Sequence, residues 1–172
     1  MDESEFRLLQ QRVGELEDER AIRALIGRYG HFADLGHEDA WVGQWTEDGV
    51  YDLVSVVRAG AGYEGRVRFE GHAELYRQIR DPAAHKAMEG RSLHVQDMNL
   101  VVRVAGDAAT AESYSMTLLR EGNDMVLRSA GMIRWTLQRI DGHWRIREKR
   151  RRPAGDRELF PDIVPPAPGA GA

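Results

Sequence analysis

Two helical stretches followed by a long run of alternating strands predict an α+β fold, with a mainly antiparallel sheet and helices on one of its faces. Three observations carry this. Apolar residues recur three and four apart from Phe6 to Phe32, the helical period. From Leu93 onward the period becomes two. Glycine-containing turn pairs, Gly106-Asp107, Gly122-Asn123 and Asp141-Gly142, separate the alternating runs. Strong curvature of such a sheet would enclose an apolar pocket between sheet and helices.

A chain of 172 residues is expected to form one domain, placed here over 1–152, with a partly disordered tail at 153–172. Apolar residues at 42% and charged residues at 30% are the balance of an ordinary globule. A net charge of −4 gives no reason to expect a nucleic-acid partner. With no cysteine, disulfides and thiolate metal sites are excluded. No apolar run is long enough to span a bilayer, and the acidic N-terminus lacks a signal-peptide core, so a cytoplasmic location is the default expectation.

In chain order, Phe6, Leu9, Val13 and Leu16 form a narrow stripe on a lead-in helix over 1–18, expected to pack on the sheet or on a second subunit. The pattern continues through Ile22, Leu25, Ile26, Tyr29 and Phe32, as one long helix or two abutting ones, to a glycine cap at Gly36. A short helix with acids in its first turn carries Trp41 and Trp45, four apart and expected to face inward. After a turn at Glu47-Asp48-Gly49, a β-branched strand opens at Val50. Residues 58–65 read as a loop, RVRFEG as a strand and HAELYRQIR as a helix. The stretch 81–90, DPAAHKAMEG, reads as a mobile segment able to gate a cavity. The basic run from Arg145 to Arg152 reads as a solvated edge strand, with Glu148 inward and ion-paired to an arginine.

The candidate chemistry starts from Asp34. A carboxylate at a helix end is more often solvated, but Phe32, Ala33 and Leu35 flank this one, which argues for partial burial. A buried carboxylate needs a donor, and His94 stands at the inward parity of its strand. A lone histidine on an apolar face is more often a core residue than a catalyst. Paired with Asp34, it would be oriented and made more basic. Tyr29 and Tyr51 are the candidate donors to a substrate oxygen, or else core tyrosines satisfied by backbone. Asp97 and Asn99 have the opposite parity and reach the pocket only through a bulge. No nucleophile elbow, phosphate loop or metal-binding histidine spacing is present, since His31 and His37 lie six apart. No cofactor and no metal are therefore assigned. Acid–base chemistry by Asp, His and Tyr on an apolar molecule remains.

The pattern AIRALIGRYGHFADLGHEDAWVGQWTEDGVYDL, the strand SLHVQDMNLVV, the hairpin VAGDAATAESY and the terminal DGHWRIREKR resemble the SnoaL-like branch of the nuclear transport factor 2-like superfamily, over about residues 15–152. The resemblance implies a cone-shaped curved sheet around a deep pocket closed by helices, often in homodimers or homotrimers. Its scytalone- and bile-acid-dehydratase branches place a Tyr five residues before an Asp on the first helix, matching Tyr29 and Asp34. Their strand histidine, general base and partner of that Asp, matches His94. Their second tyrosine falls at Leu53, with Tyr51 two residues earlier on the same face. Their second strand histidine falls near Asp97, and a further polar residue near Thr117. The resemblance implies a cofactor-independent dehydratase on a polyketide- or steroid-like substrate. An isomerase or cyclase using the same dyad, or a non-catalytic binder, are the alternatives. Trp41, Trp45, Met98, Met116, Leu118 and Trp135 are the expected apolar lining.

Overall fold

A computed structural model describes residues 2–55, 65–153, 156 and 159. A single helix, α1 (Glu3–Asp34), opens the chain. Its start is fixed by a capping box: Asp2 accepts from the Glu5 backbone N–H at 2.8 Å, and Glu5 Oε2 accepts from the Asp2 N–H at 2.8 Å. The lead-in stripe is not packed on the sheet. Phe6, Leu9, Val13 and Leu16 stay 48–66% exposed, and burial begins only at Ile22. Between the two halves Asp18 ties α1 to the far end of the sheet, accepting from Arg139 at 2.5 Å and from the Trp144 indole at 3.1 Å.

Helix α2 (Glu38–Val42) leads into β1 (Trp45–Ser55), which runs through the expected turn at 47–49 as a register shift between Trp45 and Val50. Strand β2 (Gly65–Glu70) follows the loop expected at 58–65, most of which lies outside the described residues. Helix α3 (Gly71–Ile79) and a 3₁₀ turn (Lys86–Met88) come next. Four long strands complete the chain: β3 (Ser92–Ala105), β4 (Ala108–Glu121), β5 (Asp124–Ile140) and β6 (His143–Arg152). Asp141 and Gly142 both adopt positive φ, 50° and 75°, the conformation a two-residue hairpin turn requires.

The six strands form one curved, open sheet in the order β2-β1-β6-β5-β4-β3. All neighbours are antiparallel except β1 and β6, which are parallel. This corrects the reading of the basic run as an edge strand. β6 lies in the interior of the sheet, with β1 on one side and β5 on the other. A bulge between Thr136 and Leu137 on the β5 side leaves one extra residue in β6, since Ile146 faces Leu137 while Glu148 faces Thr136. The inward set therefore changes parity, from Trp144 and Ile146 to Lys149 and Arg151, all buried. Glu148 is turned to the other side of the bulge, half-buried, where Arg150 and Arg68 reach it at 2.9 and 4.0 Å.

The core sits where α1, α2 and α3 cover the concave face. Ile22, Ile26, Phe69, Leu75, Ile79, Ile133, Leu137 and Ile146 are at most 2% exposed. Trp41, Trp45 and Trp135 ring Tyr29, with centroids 5.2, 6.1 and 5.4 Å away. Beside them Arg152 and the exposed Arg66 both grip the buried Asp52, at 2.9 and 2.7 Å, holding β6 and β2 to β1. Replacing Arg152 with alanine strips Asp52 of its buried partner while leaving Arg66, so we expect a loss of about 3 kcal/mol in urea unfolding, the lower end for a broken buried pair.

Candidate active site

Gly30 lets α1 touch β3. A Cβ on it would stand 2.1 Å from the His94 carbonyl oxygen, so only glycine fits. One turn further along the same helix face, the last residue of α1 is Asp34. Its Oδ1 lies 2.6 Å from His94 Nδ1 and accepts from Ser92 Oγ at 2.7 Å; its Oδ2 accepts the His94 backbone N–H at 2.8 Å. Burial pushes the Asp34 carboxyl up, but the hydrogen bonds and charge of His94, with that of Ser92, outweigh it and hold the group below the usual aspartate value. The carboxylate thus fixes the imidazole with Nδ1 as its donor and Nε2 as the nitrogen left for other work.

His94 lines a cavity of about 310 Å³ between the sheet and the 81–91 segment. Tyr29, Tyr51, Leu53 and Thr117 line it too. Burial raises the Tyr29 hydroxyl well above its ordinary value, with Tyr51 adding to the effect, and burial raises Tyr51 as well, so both stand protonated as donors. The other expected lining residues are elsewhere. Trp41, Trp45 and Trp135 fill the core behind Tyr29 rather than face the cavity, because inward-facing positions serve core and lining alike. Met98, Met116 and Leu118 are half-buried and do not line it. Register shifts do flank Met98, with Asn99 at positive φ, yet Asp97 stays exposed, its carboxylate 3.7 Å from where a Cβ on Gly27 would be.

Several lining residues went unseen in the sequence. His85, from the segment read as a gate, stacks on His94 with centroids 5.1 Å apart and planes 15° apart. Burial, then the neighbouring His94, lowers its pKa to about 3, so it is neutral. Lys149 reaches the floor, donating to Gln96 Oε1 at 2.8 Å, with its Nζ 3.9 Å from the centre of the Tyr29 ring and 4.7 Å from that of Tyr51. Burial first, and Arg151 second, push this amine well below the usual lysine value. Arg151, Arg128 and Arg91 line the same side. Nothing in a basic run announces a parity change, and 81–90 has no period to read. Among the described residues no three His, Asp or Glu gather as a metal site. No helix among them is long and apolar enough to cross a membrane.

This architecture coincides with a known class. The SnoaL-like domain family matches residues 14–150, and the chain belongs to that family. Among solved structures, a nuclear transport factor 2-like protein with a cystatin-like fold from Novosphingobium aromaticivorans shares 27% identity, covering 91% of this chain and 95% of that one, with a TM-score of 0.76. A single-substitution variant of Rv3472, of unknown function, from Mycobacterium tuberculosis shares 26%, covering 81% and 73%, with a TM-score of 0.64. A candidate scytalone dehydratase from N. aromaticivorans shares 16%, covering 80% and 85%, with a TM-score of 0.62, a likeness of fold alone. No curated protein matches the chain.

Two outcomes follow. Gly30→Ala forces α1 off β3 and should cost about 1–3 kcal/mol of unfolding free energy, the range for overpacking, measured by urea denaturation. For His85, the unfolded chain binds a proton below about pH 6.5 and the folded chain only near 3. Its contribution is whole above pH 6.5 and drains as pH falls. Between pH 7 and about 5 the wild type should lose up to about 2 kcal/mol that His85→Gln does not lose.

Proposed function

We propose that the protein is an acid–base lyase of the dehydratase type, acting on an apolar polycyclic small molecule that carries a carbonyl. The observation that supports this is the three-point hold on Asp34, by the His94 ring, the His94 backbone and Ser92, beside a cavity that His94 lines. A histidine held in this way is a general base at its free nitrogen.

In the proposed reaction His94 Nε2 removes a proton from the carbon next to the carbonyl, and the electron pair moves to the oxygen as an enolate. Tyr29 and Tyr51, kept protonated by burial, donate hydrogen bonds to that oxygen. Each such donor is worth about 2–4 kcal/mol of barrier by analogy with oxyanion-hole donors. The enolate then collapses, the β-carbon–oxygen bond breaks, and the departing hydroxyl takes the proton from the imidazolium. Water leaves, a double bond forms, and the base is restored. Asp34 remains ionised throughout, stabilising the imidazolium. The cavity volume lies at the low end for small-molecule sites, which favours a few fused rings over a longer substrate.

The test is incubation with a library of cyclic hydroxy-ketones and mass spectrometry of the products. The expected product has lost one water; one of unchanged mass would indicate isomerisation or cyclisation by the same base. Asp34→Asn and His94→Ala should each lower kcat by about 10⁴-fold, as loss of the orienting acid or the base does in a triad. Full turnover by His94→Ala would remove the base from the mechanism.

A further inference from the structure

The cavity has two sides of unlike character. On one, the charge of Asp34 is occupied by His94 and Ser92. On the other, β6 sends in Lys149 and Arg151, two residues apart on one strand face. Arg151 is only 8% exposed. Among the described residues its side chain has no ion pair and no hydrogen bond, and its Nη2 is enclosed without a partner. Gly131 lies beside it: a Cβ there would stand in ordinary contact with Nη2, at 3.4 Å, but would clash with the Arg152 carbonyl oxygen at 2.5 Å.

A guanidinium does not give up its proton inside a protein, so this charge cannot be relieved by neutralisation. Buried arginines are ordinarily met by a carboxylate. Arg152, the next residue, shows the ordinary case with Asp52. For Arg151 no described lining residue is Asp or Glu, and its nearest charged companion on the strand is another base. Lys149 has already yielded to that environment, its amine lowered by burial and by Arg151. Among the described residues nothing supplies that negative charge, which leaves the place to what enters the cavity.

Building on the dehydratase reading, we infer that the substrate is an acid: an apolar ring system bearing a carboxylate that docks on Arg151, with Lys149 beside it, and presents its other end to His94. The pairing is geometrically apt, because a planar guanidinium takes a planar carboxylate through two parallel N–H···O bonds. It also explains why an apolar hollow spends two of its inward positions on basic side chains. The carboxylate acts as the address of the substrate and the carbonyl as its reacting part, so that anchoring at one end sets the carbon at the other against the base.

The experiment compares 2-naphthoate with 2-naphthamide, which share shape and differ in charge, by calorimetric titration into the full chain. The wild type should bind the acid at least about 30-fold tighter than the amide, the lower bound for a buried charged pair. Arg151→Gln should abolish that preference, and Arg151→Lys should keep part of it. If the substituted chains fail to fold, the wild-type ratio still decides. Absence of preference, whether both probes bind or neither does, overturns the inference, as does an undiminished preference in Arg151→Gln. Binding is read here without turnover, so failure removes the anion site and leaves proton abstraction to be judged by product mass.

Discussion

The contact of α1 with β3 at Gly30 is the constraint on which the site rests. Helix and strand approach until the glycine Cα side meets the His94 carbonyl, closer than any side chain permits. Residues four apart on a helix share a face, so the same approach carries Asp34 onto both the backbone and the ring of His94. Tyr29 and Ala33 form the adjacent stripe, buried toward the aromatic cluster of Trp41, Trp45 and Trp135. One residue without a side chain thus fixes the distance from which acid, imidazole and phenol are all measured.

Electrostatically, the two ends of the cavity are built by different devices. At the helix end a carboxylate is neutralised locally, by donors from one strand, so its charge orients a neighbour and projects little further. At the β6 end charge is imported by a bulge that turns a strand's parity, and among the described residues no acid follows it in. Between them lie protonated phenols and a neutral His85 packed face to face on His94. A stacked, uncharged ring excludes water from one side of the imidazole without competing for its protons. Fields inside such a hollow are weakly screened, so the cationic end acts on any charge that develops near the base.

Much of this was legible in the residues, and each exception has a physical cause of its own. The helical period placed Tyr29 and Asp34 together at the end of α1, and the period of two placed His94 inward, so their meeting required only that helix cover sheet. Asp141-Gly142 gave its hairpin outright. Period-two reasoning then failed in β6, because one inserted residue turns every later side chain over and leaves no mark in composition. Lys149 and Arg151 were consequently assigned to solvent and Glu148 to the interior. The three tryptophans were assigned to the cavity because periodicity distinguishes inside from outside and cannot divide the inside into wall and filling. His85 lay in a segment with no period at all. The stripe from Phe6 to Leu16 obeyed its pattern, yet the chain's own sheet does not cover it.

The parallel pairing of β1 with β6 bears on how the molecule comes into being. Trp45 lies against Ile146 and Val50 against Glu148, neighbours separated by about a hundred residues of chain. Such long-range partners close late, after the local hairpins of β3 to β6 have formed. A polypeptide leaving the ribosome amino end first therefore has its acid and its imidazole long before the strand that brings the cations. During that interval β1 has an unpaired edge and the hollow lacks its floor. β6, the last strand in chain order, is the one that joins β1 to the rest of the sheet, so its loss would leave an open-edged, aggregation-prone chain rather than a smaller version of the same protein.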